Sequence, residues 1–147
     1  STRPPVRCHS MIQIFISHSS QDRDLLNSID RALSDVNAKA YFAERELAGR
    51  NPADKIVDAI RKSDAAFLVM TSRVTDRRDT RDWVLFEVGA AKALKRPIYG
   101  WKSHYASEPE PVKQVTDYAS FDYQSKRSKQ EMVDAMKKIA TDLGKEK

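Results

Sequence analysis

Residues Met11 to Ala43 read MIQIFISHSSQDRDLLNSIDRALSDVNAKAYFA, and this stretch decides the fold. Two short, β-rich apolar runs, MIQIFIS (Met11 to Ser17) and AKAYFA (Ala38 to Ala43), flank a segment of different period. In that segment Leu25, Leu26, Ile29, Ala32, Leu33 and Val36 recur at helical spacing. Ser19 or Ser20 is the expected N-cap, and Asp22 and Asp24 suit the positive end of a helix. Strand, helix and strand in this order form a crossover unit whose two strands run parallel.

The same alternation continues downstream. ERELAGRNPADK (Glu44 to Lys55) is a charged loop holding Gly49 and Pro52, with Asn51 as N-cap and Pro52 at the first position of a short helix through Lys62. Ile56, Val57, Ala59 and Ile60 supply its inner face, and AAFLVMT (Ala65 to Thr71) reads as a buried strand. The polar stretch SRVTDRRDT leads into a helix, RDWVLFEVGAAKAL, from Arg81 to Leu94. PIYGW is a fourth strand, KSHYASEPEP a long loop and YASFDY a short edge strand. A last helix begins near Ser125, buries Met132, Val133, Met136, Ile139, Ala140 and Leu143, and stops at Gly144. The expected architecture is a single-domain α/β, flavodoxin-like three-layer sandwich with a central parallel sheet of about five strands and helices on both faces. Ligands in such folds bind beyond the C-terminal strand ends. The loops of interest are therefore SHSSQD, ERELAGRNP, TSRVTDRRD and WKSHYASEPEP.

Composition agrees with one globular domain. The chain has 147 residues, 40% apolar and 32% charged, and no apolar run approaches the roughly 20 residues that cross a bilayer. Residues 1–10, STRPPVRCHS, read as a flexible leader or expression remnant, leaving 11–147 as the domain. The only cysteine, Cys8, lies in that leader, which excludes an internal disulfide and makes the cytoplasm the default compartment. The formal net charge is +5, but basic residues are interspersed with acidic ones, and the densest basic patch is SKRSK at the start of the last helix. That pattern describes a solvated surface and argues against nucleic acid as a partner. A positive field also suits a phosphate-bearing small molecule.

Several chemistries can be set aside. A phosphoacceptor receiver requires an aspartate after the first strand and another ending the third, and these strands end in Ser17 and Thr71. SHSSQD holds none of the glycines of a dinucleotide fingerprint or a P-loop. His9, His18 and His104 are isolated, without metal-ligand spacing, so no metal is expected. His18 between Ser17 and Ser19 does not make a hydrolytic triad, because adjacent residues at a strand end point in different directions.

One residue remains unexplained. On the helix from Arg81, Phe86, Ala90, Trp83, Leu94, Ala91, Val84 and Val88 cover one continuous arc, and Glu87 falls near its middle. Trp83 lies one turn before it and Ala91 one turn after. A carboxylate buried alone there costs several kcal/mol, so it requires a partner, a proton or a cleft.

With these segments in hand the sequence resembles the Toll/interleukin receptor (TIR) domain family, particularly of the prokaryotic, NAD-cleaving kind. The resemblance runs from IFISHSSQD through ERELAGRNPADKIVDAIRKSDAAFLVMTS to WVLFE, whose Trp83–Glu87 spacing matches the family's W-x-x-x-E. It covers about Met11 to Leu143. Pro52 is followed by Ala53 where the family often has glycine, Val84 replaces a frequent cysteine, and Arg81 and Asp82 stand in place of serines. The resemblance implies that Glu87 is catalytic and cleaves the nicotinamide–ribose bond of NAD+, which is substrate; no cofactor is implied. It further implies that Trp83, Ser17 and Ser19 border the site, that Arg45 or Arg50 meets the pyrophosphate, and that the 44–52 loop mediates TIR–TIR self-association, in a prokaryotic defence or signalling setting. Two alternatives stand beside it: a non-catalytic interaction module, and a nucleoside deoxyribosyltransferase-like enzyme that breaks another N-glycosidic bond.

Overall fold

Each apolar run of the sequence becomes a strand, and each segment of helical period covers one face of the sheet that those strands build. The computed structural model describes residues 11–18, 22–42, 52–71, 78–104 and 118–146. Its elements are β1 (Ile12–His18), α1 (Arg23–Asp35), β2 (Ala38–Phe42), α2 (Pro52–Arg61), β3 (Ala65–Met70), α3 (Arg78–Ala93), β4 (Ile98–Ser103), β5 (Tyr118–Phe121) and α4 (Lys126–Lys145). The five strands form one sheet in the order β2-β1-β3-β4-β5, every neighbouring pair parallel, as in flavodoxin-like folds. Residues 1–10, read as a leader, lie outside the described residues.

Side chains alternate across the sheet, so the inner strands β1 and β3 contribute to cores on both faces. Ile12, Ile14 and Ile16 of β1 join Phe67 and Val69 of β3, Trp101 of β4 and Phe121 of β5 beneath α1 and α4, which contribute Leu25, Ile29, Leu33, Met132, Val133 and Met136. On the opposite face, Phe15 and Ala66 pack with Ile56, Ala59 and Ile60 of α2 and Ala91 of α3. Leu68 and Met70 meet Val84 and Val88 of α3. β3 is buried along its whole length, as expected of a strand covered on both sides.

The two ends of the sheet are built differently. At the N-terminal end, Gln13 and Asp64 exchange bonds: the Gln13 N–H donates to Asp64 Oδ2 at 2.9 Å, and the Asp64 N–H donates to the Gln13 carbonyl at 2.7 Å. The Gln13 amide also donates to Ser63 Oγ at 3.0 Å. Nearby, the Arg96 guanidinium donates to the carbonyls of Arg61 at 2.7 Å and Leu94 at 3.2 Å, tying together the C-terminal ends of α2 and α3. A cation there also complements both helix dipoles.

Three local expectations need correction. The N-cap of α1 is Asp22, whose Oδ1 accepts from the Leu25 N–H at 3.1 Å; Ser19 and Ser20 lie outside the described residues. A carboxylate at this position satisfies an orphan amide and meets the helix dipole as well, so it competes well with serine. Gly144 does not stop α4, which runs on to Lys145; a Cβ at Gly144 would be 3.8 Å from Ile12 Cγ1, so the residue lies close against the start of β1. Phe86 is 37% exposed rather than buried, because the buried stripe of α3 (Val84, Glu87, Val88, Ala91) is centred between Glu87 and Val88 and leaves Phe86 about 150° away around the helix. The expected N-cap Asn51 lies outside the described residues, though α2 does begin at Pro52.

Asp22 has a second role. Its Oδ2 accepts from the Tyr123 hydroxyl at 2.5 Å, and Lys129 Nζ lies 4.9 Å from the Tyr123 ring centroid. The start of α1 is thereby joined to the segment between β5 and α4. The Tyr123 hydroxyl, helped by the Leu25 and Asp24 amides and by Lys129 and opposed by burial, holds the Asp22 carboxyl below its ordinary range. A depressed folded pKa contributes stability that is present above the unfolded value, about 4, and is lost as pH falls through the folded value. Tyr123→Phe is expected to lower stability at pH 7 by about 1–2 kcal/mol. It should also flatten the loss of stability below pH 4, as read by urea denaturation across pH.

Candidate active site

The strand order places a switch point between β1 and β3, since the chain crosses to the α1–α4 face from one and to the α2–α3 face from the other. Ser17 stands at the C-terminal end of β1, paired in register with Leu68 of β3. By the alternation of the strand it shares the face of Phe15, toward α2 and α3. Helix α3 packs across β1 on that face. Its buried stripe therefore brings Glu87 over the end of the strand.

The two side chains meet. Ser17 Oγ donates to Glu87 Oε1 at 2.5 Å across 70 residues of sequence. That distance is in the range of a charge-assisted hydroxyl–carboxylate bond. Ser17 and Glu87 are each 2% exposed, and the second carboxyl oxygen, Oε2, is enclosed as well. The other buried polar residues described are Thr71 and Ser103, at the C-terminal ends of β3 and β4, and Ser63 at the opposite end of the sheet. Among the described residues, four of the five buried polar ones thus lie on α3 or at the C-terminal ends of the strands.

Trp83 lies one turn before Glu87 and is half-buried. It packs against the Phe15, Ile56 and Ile60 cluster and meets Phe86 edge-on, with ring centroids 5.7 Å apart and planes at 87°. Its position gives the carboxylate an apolar neighbour on the α2 side. Of the residues singled out from the sequence, the structure brings Ser17 and Glu87 into contact and sets Trp83 on the adjoining turn. Ser19, Arg45 and Arg50 lie outside the described residues, as does most of the 44–52 loop. The direct Ser17–Glu87 bond was not foreseen. The alternation of β1 could have suggested it, since Phe15 and Ser17 share a face, but the register of α3 on that face could not be read from the helix alone.

The chain belongs to the TIR domain family: the profile of the TIR domain matches residues 14–140. No curated protein matches it. Among solved structures, it is similar to the flavodiiron core of Flv1 from Synechocystis sp. PCC6803, with TM-score 0.61 and 14% identity over 96% of this chain and 38% of that one. It is similar to the CMP N-glycosidase BcmB of Clostridium botulinum, with TM-score 0.56 and 15% identity over 84% of this chain and 98% of that one. The TIR domains of the activated Roq1 resistosome, which directly recognises the pathogen effector XopQ, give TM-score 0.52 and 13% identity over 92% and 84%. At these identities the likeness is one of fold. Among the described residues, no helix is long and apolar enough to cross a membrane.

A carboxylate enclosed in an apolar core costs stability relative to a neutral isostere. Glu87→Gln keeps an acceptor for Ser17 and removes the charge. Its Tm, measured by calorimetry, is expected to equal or exceed that of the wild type.

Proposed function

We propose that this chain is an N-glycosidase of the TIR family that breaks the nicotinamide–ribose bond of NAD+, with Glu87 as the catalytic carboxylate. The observation that carries the proposal is the buried Glu87 carboxylate, held by Ser17 at the switch point of a parallel sheet. The reaction suits a site with one carboxylate. Glycosidases that expel an alcohol use a second group to protonate the leaving oxygen. Nicotinamide is bound in NAD+ as a cationic pyridinium. When the C1′–N bond breaks, its electron pair returns to the ring nitrogen and nicotinamide departs neutral, so no general acid is required. Positive charge develops at the ribosyl centre, where a fixed carboxylate stabilises it and accepts hydrogen bonds from the ribose hydroxyls. Capture by water yields ADP-ribose plus a proton; capture by a nucleophile of the adenine yields a cyclic product. Trp83 would exclude water beside the bond, while Ser19 and Arg45 or Arg50 would contact ribose and pyrophosphate.

Because Glu87 is 2% exposed, turnover requires that its cover move aside for the ribose. Self-association through the 44–52 loop is the proposed trigger, in a prokaryotic defence or signalling pathway. Its support is family membership and the likeness to TIR domains of an activated resistosome. A second reading, cleavage of a pyrimidine nucleotide, is favoured by the likeness to the CMP N-glycosidase across nearly all of that protein's length. That substrate differs chemically, since cytosine leaves readily only when protonated, and it would require an acid in the site.

Incubating concentrated protein separately with NAD+ and with CMP, and resolving products by liquid chromatography, tests both. Nicotinamide release is expected, reduced by roughly 10²–10³-fold in Glu87→Ala. Release of cytosine alone would select the second reading. A folded, concentrated protein that leaves both substrates intact would point to an interaction module.

A further inference from the structure

We infer that Ser17 is a positioning residue for Glu87, holding the carboxylate in place from the end of the central strand and making no direct donor contact with the substrate. The inference rests on the N-glycosidase reading above and deepens it.

Donor arithmetic comes first. A serine hydroxyl has one O–H to give and lone pairs to accept with. Here that O–H is given to Glu87 Oε1 at 2.5 Å, in a pair that excludes solvent on both sides. The pyrophosphate oxygens of a dinucleotide offer only acceptors, so Ser17 has nothing to donate to them while this bond stands. A carboxylate has about four lone-pair sites. The bond from Ser17 takes one of these.

Rigidity is the second consideration. β1 is an inner strand, paired with β2 through Ile16–Phe42 and with β3 through Ser17–Leu68 and His18–Val69. The backbone of Ser17 is thus held by the β3 ladder and follows directly on Ile16, which is paired on both sides. Glu87, by contrast, is a three-torsion side chain projecting from a helix, where Val84, Val88 and Ala91 are its buried neighbours on the same stripe. A bond to the strand converts that flexible side chain into one referenced to the sheet, as a functional carboxylate requires. Displacement of such a group by about 1 Å can cost on the order of 100-fold in rate.

The test compares Ser17→Ala and Ser17→Thr, alone and with Glu87→Ala, in steady-state nicotinamide release, with folding checked by circular dichroism. A positioning role predicts that Ser17→Ala lowers kcat about 10- to 100-fold with KM changed less than about twofold, and that Ser17→Thr, which keeps the hydroxyl, recovers most of kcat. In the Glu87→Ala background, Ser17→Ala should add no further loss, because the group it positions is gone. A raised KM with unchanged kcat would overturn the inference in favour of direct substrate binding. A fall in Tm with unchanged activity per folded molecule would overturn it in favour of a purely structural role. If the wild type cleaves neither NAD+ nor CMP, the catalytic reading fails by itself, and thermal melts then decide the pairing. Ser17→Ala should lower Tm in the wild-type background and by less than about half as much in Glu87→Met. Equal losses in both would overturn it.

Discussion

A strand in the middle of a parallel sheet is covered on both faces, so it can carry a polar side chain only where another element brings that side chain a partner. β1 obeys this rule over its length. Ile12, Ile14, Phe15 and Ile16 are buried and apolar; Gln13 is satisfied by Asp64 and Ser63, and Ser17 by Glu87. The last of these pairings goes with one seating of α3 against the sheet. With Glu87 over Ser17, Val84 and Val88 fall onto Leu68 and Met70, Ala91 reaches the Phe15 cluster, and Phe86 is left on the outer side of the helix.

The opposite ends of the sheet show how the same fold separates stability from chemistry. At the N-terminal end, polar groups are consumed in closing the structure: Gln13 with Asp64 and Ser63, and Arg96 with the last carbonyls of α2 and α3. At the C-terminal end, Asp22 and Tyr123 form a comparable tie between α1 and the segment preceding α4. At the same end of the sheet, on the face covered by α2 and α3, the Glu87 carboxyl is buried against Ser17. A hydrophobic residue at position 87 would continue the stripe of Val84, Val88 and Ala91 at less cost. A carboxyl group on that stripe, at the sheet end where such folds take their ligands, is the physical reason for proposing that it is functional.

Much of the fold was legible because period and punctuation agree along the chain. Alternation of β-rich runs with segments of helical spacing leads to a parallel sheet, and the nine described elements follow that order. Boundaries were less legible where two residue types could do the same work. Asp22 and the serines before it are all competent caps, and Gly144 can either end a helix or lie close against β1. The rotation of α3 was misjudged by part of a turn, because Phe86 and Val88 are about equally apolar and lie on opposite edges of the same arc.

The sequence by itself determined that Glu87 lies on an apolar helical face, one turn from Trp83, in a chain whose motifs place it in the TIR family. Those are properties of spacing within one segment, set by the 3.6-residue period and the order of elements. What only the tertiary structure decided is what the carboxylate meets. Ser17 lies 70 residues away, and its facing the helix depends on the pleat of β1, the switch of crossover side between β1 and β3, and the seating of α3 on that face. None of these is a local quantity. They are fixed together when the two cores close, and the hydrogen bond follows from that closure.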